Sequence, residues 1–134
     1  MVVTNGDIIL YGISNISEKL DNIIKNFNLK EKYFEIKLII SEAISNAYIH
    51  GNNSDNSKPI YVQWELKENF IRIAVKDCGS GVESSKANKE ISEEDLLDEC
   101  GRGLFIIRSY ADEVKFKGNS IIMEKYLNMD INKT

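Results

Sequence analysis

The chain has 134 residues, of which 43% are hydrophobic and 28% charged, and its formal net charge at pH 7 is −4. Such a length and composition are typical of one globular domain, residues 1–134, that buries a core without disulfide bonds. The negative charge argues against a nucleic-acid partner held through its phosphates. We find no signal-peptide pattern and no apolar run long enough to cross a bilayer, so we expect a cytoplasmic protein without a membrane partner.

The first quarter of the chain predicts an edge strand followed by a helix. The segment DIILYGI, residues 7–13, alternates weakly between apolar and polar side chains, as an edge strand does. Asn15 followed by Glu18 resembles a capping box, which places the start of a helix there, and Asn28 is its expected end. The apolar side chains of this helix recur at helical spacing: Ile16, Leu20, Ile23, Ile24 and Phe27.

A second helix is predicted over residues 30–50, with Gly51 as its C-terminal cap. Two alternating strands follow it, KPIYVQWEL (residues 58–66) and NFIRIAVKD (residues 69–77), and the short separation between them predicts a hairpin. The helix carries one apolar stripe that is expected to face the core: Ile36, Ile40, Ala43, Ile44 and Ala47.

The remainder of the chain predicts a loop, a helix and a second hairpin. Residues 79–100 are rich in acidic side chains and serines, which indicates a loop with at most a short helix near SEEDLLDE. A helix is expected over residues 104–111, and the strands EVKFKG and SIIMEKYL turn at Gly118 and Asn119. These elements predict an α+β fold, a two-layer sandwich in which helices cover one face of a mostly antiparallel sheet.

The second helix carries polar side chains in the stretch SEAISNAYIHGN, residues 41–52. Glu42 and Asn46 are four residues apart, so they project from the same side of the helix one turn apart. The amide oxygen could ligate Mg²⁺ while the carboxylate accepts a proton from an attacking hydroxyl. Taken alone, this spacing favours the simpler alternative of a solvated face on an amphipathic helix.

The strand IRIAV ends at a second polar position. Asp77 is in phase with the apolar side chains of that strand, and a carboxylate at the end of a buried row must be paired or hydrogen-bonded. Gly79 and Gly81 follow in a D-x-G-x-G pattern that lets another molecule approach the backbone closely. Two interpretations stay open: a carboxylate that binds a donor such as an exocyclic amine, or a strand-ending aspartate before an ordinary glycine turn.

The third position is GRGLFIIRS, residues 101–109. Gly101 and Gly103 flank Arg102 and are expected to open a helix that is anchored to the core from Leu104 onward. Free backbone N–H groups at a helix start, together with a guanidinium group, suit a phosphate. The alternative is a flexible hinge before a helix, because two glycines at this spacing are weak evidence on their own.

In this order the three segments resemble the nucleotide-binding signature of the GHKL (Bergerat-fold) ATPases, the superfamily of the gyrases and histidine kinases. The E-x-x-x-N-A of residues 42–47 resembles its N box, DCGSG of residues 77–81 its first glycine box, and GRGL of residues 101–104 its second. Within the superfamily the chain is most similar to the stand-alone anti-sigma-factor serine/threonine kinases, through SEAISNAYIHG and GRGLFIIRSYADEV. The similarity spans nearly the whole chain.

The resemblance implies a role for each matched residue. The first glycine box would bind adenine and sugar, with the aspartate on the adenine amino group, while the second box would cover the β- and γ-phosphates. Glu42 would be the catalytic base, and Asn46 would ligate the Mg²⁺ that accompanies ATP. The residues expected to bind the nucleotide are Asn46, Asp77, Gly79, Gly81, Gly101, Arg102, Gly103 and Leu104.

The resemblance also implies an ATP- and Mg²⁺-dependent serine kinase of a partner-switching module. It would phosphorylate an anti-anti-sigma factor and sequester a sigma factor, as a homodimer that joins through the sheet edge or the first helix. The single histidine, His50, lies inside the N box, which argues against histidine autophosphorylation.

Two other hypotheses stay open. The first helix, ISEKLDNIIKNF, has no arginine for a partner contact, and Lys19 is the nearby basic side chain. A nucleotide-dependent binding protein that holds a partner without phosphorylating it is therefore the alternative. A plain α+β domain with coincidental motifs is the third.

Overall fold

The computed structural model describes residues 2–27, 29, 32–79 and 99–127. Within them, five strands form one sheet in the order β1-β2-β3-β5-β4, and every neighbouring pair is antiparallel. The strands are β1 (Val2–Tyr11), β2 (Pro59–Lys67), β3 (Phe70–Lys76), β4 (Glu113–Lys117) and β5 (Ser120–Tyr126). The helices are α1 (Ile16–Ile24), α2 (Tyr33–Asn46) and α3 (Glu99–Tyr110).

Buried side chains from the helices and from one face of the sheet form a single core, which makes this the predicted α+β sandwich. The apolar stripe predicted for α2 is buried, and Ile39 belongs to it as well. On the sheet, the alternation predicted for the hairpin strands is confirmed. The core comprises Leu10, Leu20, Ile24, Leu29, Ile36, Ile39, Ile40, Ala43, Ile44, Ala47, Ile60, Val62, Leu66, Ile71, Ile73, Val75, Ile107 and Met123.

Strand β1 lies at the edge of the sheet, as predicted, but its bounds differ. It begins at Val2 rather than at residue 7 and pairs with β2 along its whole length. It ends at Tyr11 because Gly12 adopts a φ of +77°, where a Cβ would also stand 2.8 Å from Oδ1 of Asn56. The turn at Gly12 thus directs the chain away from the sheet and towards α1.

Helix α1 begins where the sequence predicts, but the expected capping box is wrong. The Asn15 side chain makes no capping hydrogen bond, and its backbone lies in the left-handed region at φ 59°. Asparagine adopts this conformation more readily than other residues with a Cβ, so the chain enters the helix through the backbone of Asn15. The helix continues as a 3₁₀ turn over Lys25–Phe27. The predicted end at Asn28 lies outside the described residues.

Helix α2 starts at Tyr33 and passes into a π-helical turn, Ala47–Gly51, instead of ending in a regular α-turn at residue 50. Helix α3 starts at Glu99, five residues before its predicted start. Both hairpins are confirmed, and the second turns at Gly118, which has a φ of +61°. Of the loop predicted between residues 79 and 100, residues 80–98 lie outside the described residues, whereas Glu99 and Cys100 belong to α3.

One charged side chain lies within the core. Lys125 of β5 is 6% exposed, and its Nζ lies 2.6 Å from Oε1 of Glu35 in α2. The same ammonium group donates to the carbonyl oxygen of Tyr110, the last residue of α3, at 2.5 Å. Lys125 therefore joins the start of α2 and the end of α3 to the sheet.

In the part of the chain that the structure describes, no helix is long and apolar enough to cross a membrane.

Candidate functional site

The end of α2 and the start of α3 meet at the N-box residues. A Cβ added to Gly103 would stand 3.0 Å from both Nδ2 and Oδ1 of Asn46 and 3.2 Å from Oε1 of Glu42. Gly103 is buried, and Glu42 and Asn46 are half-buried. The carboxylate, the amide and the backbone of the second glycine segment are therefore neighbours, as one shared site requires.

The amide nitrogen of Asn46 is buried without a hydrogen-bond partner. Among the described residues, its Nδ2 is the one buried side-chain nitrogen or oxygen that has no hydrogen bond. Buried polar groups in native proteins are normally paired, and an exception calls for a physical reason. Binding a polar ligand is one such reason, because a ligand could supply the partner that Nδ2 lacks.

The second glycine segment lies inside α3, so the prediction that it opens the helix is wrong. The helix begins at Glu99, two residues before Gly101. The first four N–H groups of an α-helix, from the N-cap to the third helical residue, have no acceptor within the helix, and these include that of Gly101. The anion-binding role inferred for this segment stays a prediction. Leu104 is half-buried, while the side chain of Arg102 lies outside the described part.

Asp77 follows the last residue of β3 and continues the buried face of that strand. Its side chain is half-buried, and its Oδ1 accepts a hydrogen bond from the N–H of Gly79 at 2.7 Å. Burial raises the pKa of the Asp77 carboxyl, and the hydrogen bond from Gly79 opposes that rise. The prediction that the carboxylate at the strand end is hydrogen-bonded is confirmed, whereas Gly81 lies outside the described residues.

The π-helical turn brings the end of the N-box helix against Asp77. A Cβ added to Gly51 would lie 2.0 Å from Oδ2 and 2.7 Å from Cβ of Asp77, closer than any side chain tolerates. Gly51 was predicted as the C-terminal cap of the helix, but it is the last residue of the π-helical turn, whose cap is Asn52, and the left-handed positions that follow are Asn53 and Ser54. Glycine is needed here for close approach, since only a residue without a Cβ leaves room for the aspartate.

Two asparagines complete the surroundings of Asp77, and neither was predicted as a site residue. Asn52 is fully buried, and its Oδ1 accepts the N–H of Cys78 at 2.7 Å. Asn119, in the β4–β5 turn, donates from Nδ2 to the carbonyl oxygen of Asp77 and accepts the N–H of Asp77 at 3.1 Å. Both lie in asparagine-rich or turn segments, where the sequence offers no sign of a long-range contact.

The site therefore extends along one continuous stretch of chain, from Glu42 to Asn52. At its start, a carboxylate and an unpartnered amide lie under Gly103. At its end, Gly51 lies against a desolvated carboxylate. The first end suits a phosphate-bound cation and an attacking hydroxyl, and the second suits a hydrogen-bond donor on a flat ring.

Comparison with known proteins gives a consistent picture. A model of the histidine kinase-like ATPase domain matches residues 13–125. An anti-sigma F factor of Clostridium perfringens (strain SM101 / Type A) is 33% identical over 105 residues, which cover 73% of this chain and 75% of the relative. An anti-sigma F factor of Geobacillus sp. (strain WCH70) is 32% identical over 104 residues, covering 69% and 68%. That of Oceanobacillus iheyensis is 31% identical over 101 residues, covering 70% and 69%.

The region matched by the family model contains the N-box helix, the strand-end aspartate and the start of α3. The alignments with the relatives cover two thirds or more of each relative's length. The resemblance to GHKL-type ATPases is thereby confirmed. The chain belongs to the family of histidine kinase-like ATPase domains, and this membership implies that it binds ATP.

Proposed function

We propose that this chain is an ATP-dependent serine protein kinase and anti-sigma factor. It phosphorylates an anti-anti-sigma factor and sequesters a sigma factor, in the cytoplasm and without contacting nucleic acid. The observation that carries the proposal is the position of Glu42 beside Asn46, with Gly103 packed against both side chains. The relatives named anti-sigma F factor support the anti-sigma-factor part of this proposal.

The nucleotide lies along the stretch from Asp77 to α3 in this proposal. Asp77 accepts the adenine amino group, while Gly79 and Gly81 leave room for the base and sugar. The phosphates lie at the start of α3, whose first N–H groups are not used within the helix. The residues proposed to cover the β- and γ-phosphates are Gly101, Arg102, Gly103 and Leu104.

Asn46 is the proposed protein ligand of Mg²⁺. This ion is usually held by one or two protein oxygens together with substrate phosphates, and a buried amide whose nitrogen has no hydrogen-bond partner supports a ligand at this side chain. When bound, Mg²⁺ neutralises part of the charge on the phosphates.

Glu42 is the proposed general base for phosphoryl transfer. Its carboxylate takes the proton of a serine hydroxyl on the partner as that oxygen bonds to the γ-phosphorus. The bond between the γ-phosphorus and the bridging oxygen breaks, and ADP leaves. Glu42 is half-buried beside Gly103, which holds the carboxylate near the phosphates. Such catalysis depends chiefly on positioning.

The proposed assembly is a homodimer that forms through the free edge of β1 or through α1. The edge strand is ten residues long, and Ile9 and Tyr11 on its outer side are 54% and 58% exposed. An unpaired strand edge with apolar neighbours favours association with a second chain.

Phosphoryl transfer is tested with γ-labelled ATP, the cognate anti-anti-sigma factor and a Glu42→Gln variant. We expect label on a partner serine with the wild type and at least a hundredfold slower labelling with the variant, as for loss of a general base. ATP affinity should stay within about twofold, because the glutamine keeps the shape of the side chain. Glu68→Gln, in the β2–β3 turn, is the matched control and should label the partner normally.

A nucleotide-dependent binding protein without kinase activity is the alternative. It is favoured by the absence of arginine from residues 16–27, where Lys19 is half-buried on α1. Here ATP would change the affinity for a partner, no label would reach the partner, and Glu42→Gln would leave partner release unchanged.

A further inference from the structure

The backbone from Asp77 to Gly79 is held by side-chain amides after β3 ends. The last registered pair of β3 with β5 joins Lys76 to Ser120, so residues 77–79 have no strand partner. A segment beyond the last paired residue of a strand would normally be more mobile than the strand itself. Here two asparagines, one from each side, bond to its peptide groups.

Asn52 holds the segment from the side of the N-box helix. Its side chain is 0% exposed, so every polar atom must be paired within the protein. Nδ2 donates to the carbonyl oxygens of Lys58 at 3.2 Å and Pro59 at 3.1 Å, and Oδ1 accepts the N–H of Cys78 at 2.7 Å. The position of Cys78 is thereby tied to the start of β2 and to the end of the π-helical turn.

Asn119 holds the segment from the opposite side. Its Nδ2 donates to the carbonyl oxygen of Asp77 and, at 3.5 Å, to that of Gly79. Its own carbonyl oxygen accepts the N–H of Asp77 at 3.1 Å. One residue of the β4–β5 turn thus fixes both peptide groups next to the Asp77 side chain.

These contacts determine where the carboxylate lies. Oδ1 of Asp77 is fixed by the N–H of Gly79, and Oδ2 lies against Gly51, so the side chain can move only when the backbone around it moves. An aspartate that accepts a hydrogen bond from an amino group discriminates against a ring that presents a carbonyl oxygen there. That discrimination is lost when the acceptor can shift away.

We propose that Asn52 and Asn119 are positioning residues that determine the base selectivity of the nucleotide site. They act through Asp77 and do not themselves touch the nucleotide. The inference rests on the adenine-binding role of Asp77 in the proposed function. It does not depend on kinase activity, because its readout is nucleotide binding.

The test measures the affinity of Asn119→Ala for ATP, GTP and inorganic triphosphate, each with Mg²⁺, by isothermal titration calorimetry. We expect the ATP affinity to fall on the order of tenfold, as for one lost hydrogen bond to a buried group. The preference for ATP over GTP should fall by a similar factor. The affinity for triphosphate should stay within about twofold, because the phosphate end is unchanged.

Asn69→Ala is the matched control, since Asn69 lies in the other hairpin turn at the far end of β3. It should keep wild-type affinity for all three ligands. Asn52→Ala should lose base selectivity as Asn119→Ala does, and if it does not fold, Asn119→Ala decides the question alone. Either an equal loss for all three ligands or no loss with Asn119→Ala would overturn the inference.

Asp77→Asn separates this inference from the proposed function. If this variant loses its preference for ATP while Asn119→Ala keeps it, only the positioning role is wrong. If Asp77→Asn binds ATP and GTP as the wild type does, the adenine-binding role of Asp77 is wrong, and the inference falls with it.

Discussion

Gly103 of α3 lies against the side chain of Asn46 in α2, so closely that a methyl group there would stand 3.0 Å from both atoms of the amide. The same methyl group would stand 3.2 Å from Oε1 of Glu42. Helix α3 therefore packs on the N box through a residue without a side chain. The closeness of the two helices is what places the start of α3 beside the carboxylate and the amide.

Gly103→Ala should separate stability from function. Alanine favours a helix over glycine by about 1 kcal/mol, and the added methyl group meets only the movable ends of Asn46 and Glu42. We expect the free energy of unfolding to stay within about 1 kcal/mol of wild type. The affinity for Mg²⁺–ATP should fall by at least about tenfold, because the amide must turn away. Urea denaturation and calorimetry measure the two quantities.

Gly118→Ala is the control for this prediction. Gly118 has a φ of +61°, and a Cβ there would meet nothing within 4 Å. Its replacement should lower stability by about 1 kcal/mol through backbone strain and leave nucleotide affinity unchanged. Equal affinity for ATP in both variants would contradict the closeness of Gly103 to the site.

Asp77→Asn should stabilise the protein when no nucleotide is present. Burial raises the pKa of the Asp77 carboxyl, so the charged form is disfavoured in the folded state and costs stability above that pKa. The asparagine carries no such cost, and its oxygen can still accept the N–H of Gly79. We expect a higher Tm for the variant at pH 7, with the difference closing as the pH falls through the raised pKa of Asp77 and gone below about pH 4. Saturating ATP should reverse the order, because it stabilises only a protein that binds it.

Asp55→Asn should change the Tm at pH 7 in the opposite direction to Asp77→Asn. The Oδ1 of Asp55 accepts hydrogen bonds from the hydroxyl and the N–H of Ser57, and these lower the pKa of its carboxyl. Stability from such a group is present above its ordinary pKa and is lost as the pH falls through the lowered one. A lower Tm at pH 7 for this variant, beside a higher one for Asp77→Asn, would identify burial as the cause. A loss of Tm in both would leave the cost of burying Asp77 unsupported.

Most of the fold could be predicted because the apolar patterns are regular. The strands around Ile60 and Ile71 alternate with period two, and that phase also places Asp77 at the end of the buried face. The bounds of β1 could not be predicted, because its first residues are paired by register with β2 and show no alternation of their own. The turn at the end of α2 is π-helical and ends with Gly51 against Asp77, a long-range contact that no local pattern encodes.

The site was only partly predictable for a related reason. Glu42, Asn46 and Gly103 are recognisable because their motifs are local in sequence, and the structure brings them together. Asn52 stands in HGNNSDNS, where several side chains suit a surface loop equally well. Its burial depends on the carbonyl groups at the start of β2 and on the N–H of Cys78, all of them distant in sequence. A contact set by tertiary structure leaves no periodic signal.

Removing one partner of the buried ion pair between Lys125 and Glu35 should cost more stability than removing the other. The side chain of Lys125 is 8% exposed and that of Glu35 is 31% exposed, so removing the carboxylate leaves the deeper charge with the carbonyl oxygen of Tyr110 as its one partner among the described residues. We expect Glu35→Ala to lower the free energy of unfolding by about 2 kcal/mol. Lys125→Met removes the buried charge itself and should cost less than about 1 kcal/mol. Urea denaturation at pH 7 compares the two.

The pH dependence of Glu35→Ala provides a second measurement. The hydrogen bond from Lys125 lowers the pKa of the Glu35 carboxyl, so its stabilisation is present above about pH 4.3 and is lost as the pH falls through the lowered value. The gap between wild type and variant should therefore narrow in acid. Glu65→Ala breaks the exposed pair with Arg72 and should change stability by less than about 0.5 kcal/mol. A larger effect for Glu65→Ala than for Glu35→Ala would contradict this account.

Gly51→Ala should disrupt the base end of the site and cost stability. The new methyl group would overlap Oδ2 of Asp77, which cannot rotate away without breaking the hydrogen bond from Gly79 to Oδ1. We expect a loss of about 1–3 kcal/mol in unfolding free energy, as for overpacked positions, and a large loss of the preference for ATP over GTP. Gly6→Ala is the matched control, because its Cβ would lie 2.5 Å from the Trp64 ring, opposite on β2. It should lose stability but keep base selectivity.

In the Asp77→Ala background, the stability cost of Gly51→Ala should shrink, since the overlapping oxygen is gone. An undiminished cost there would show that the clash is with the backbone and not with the carboxylate.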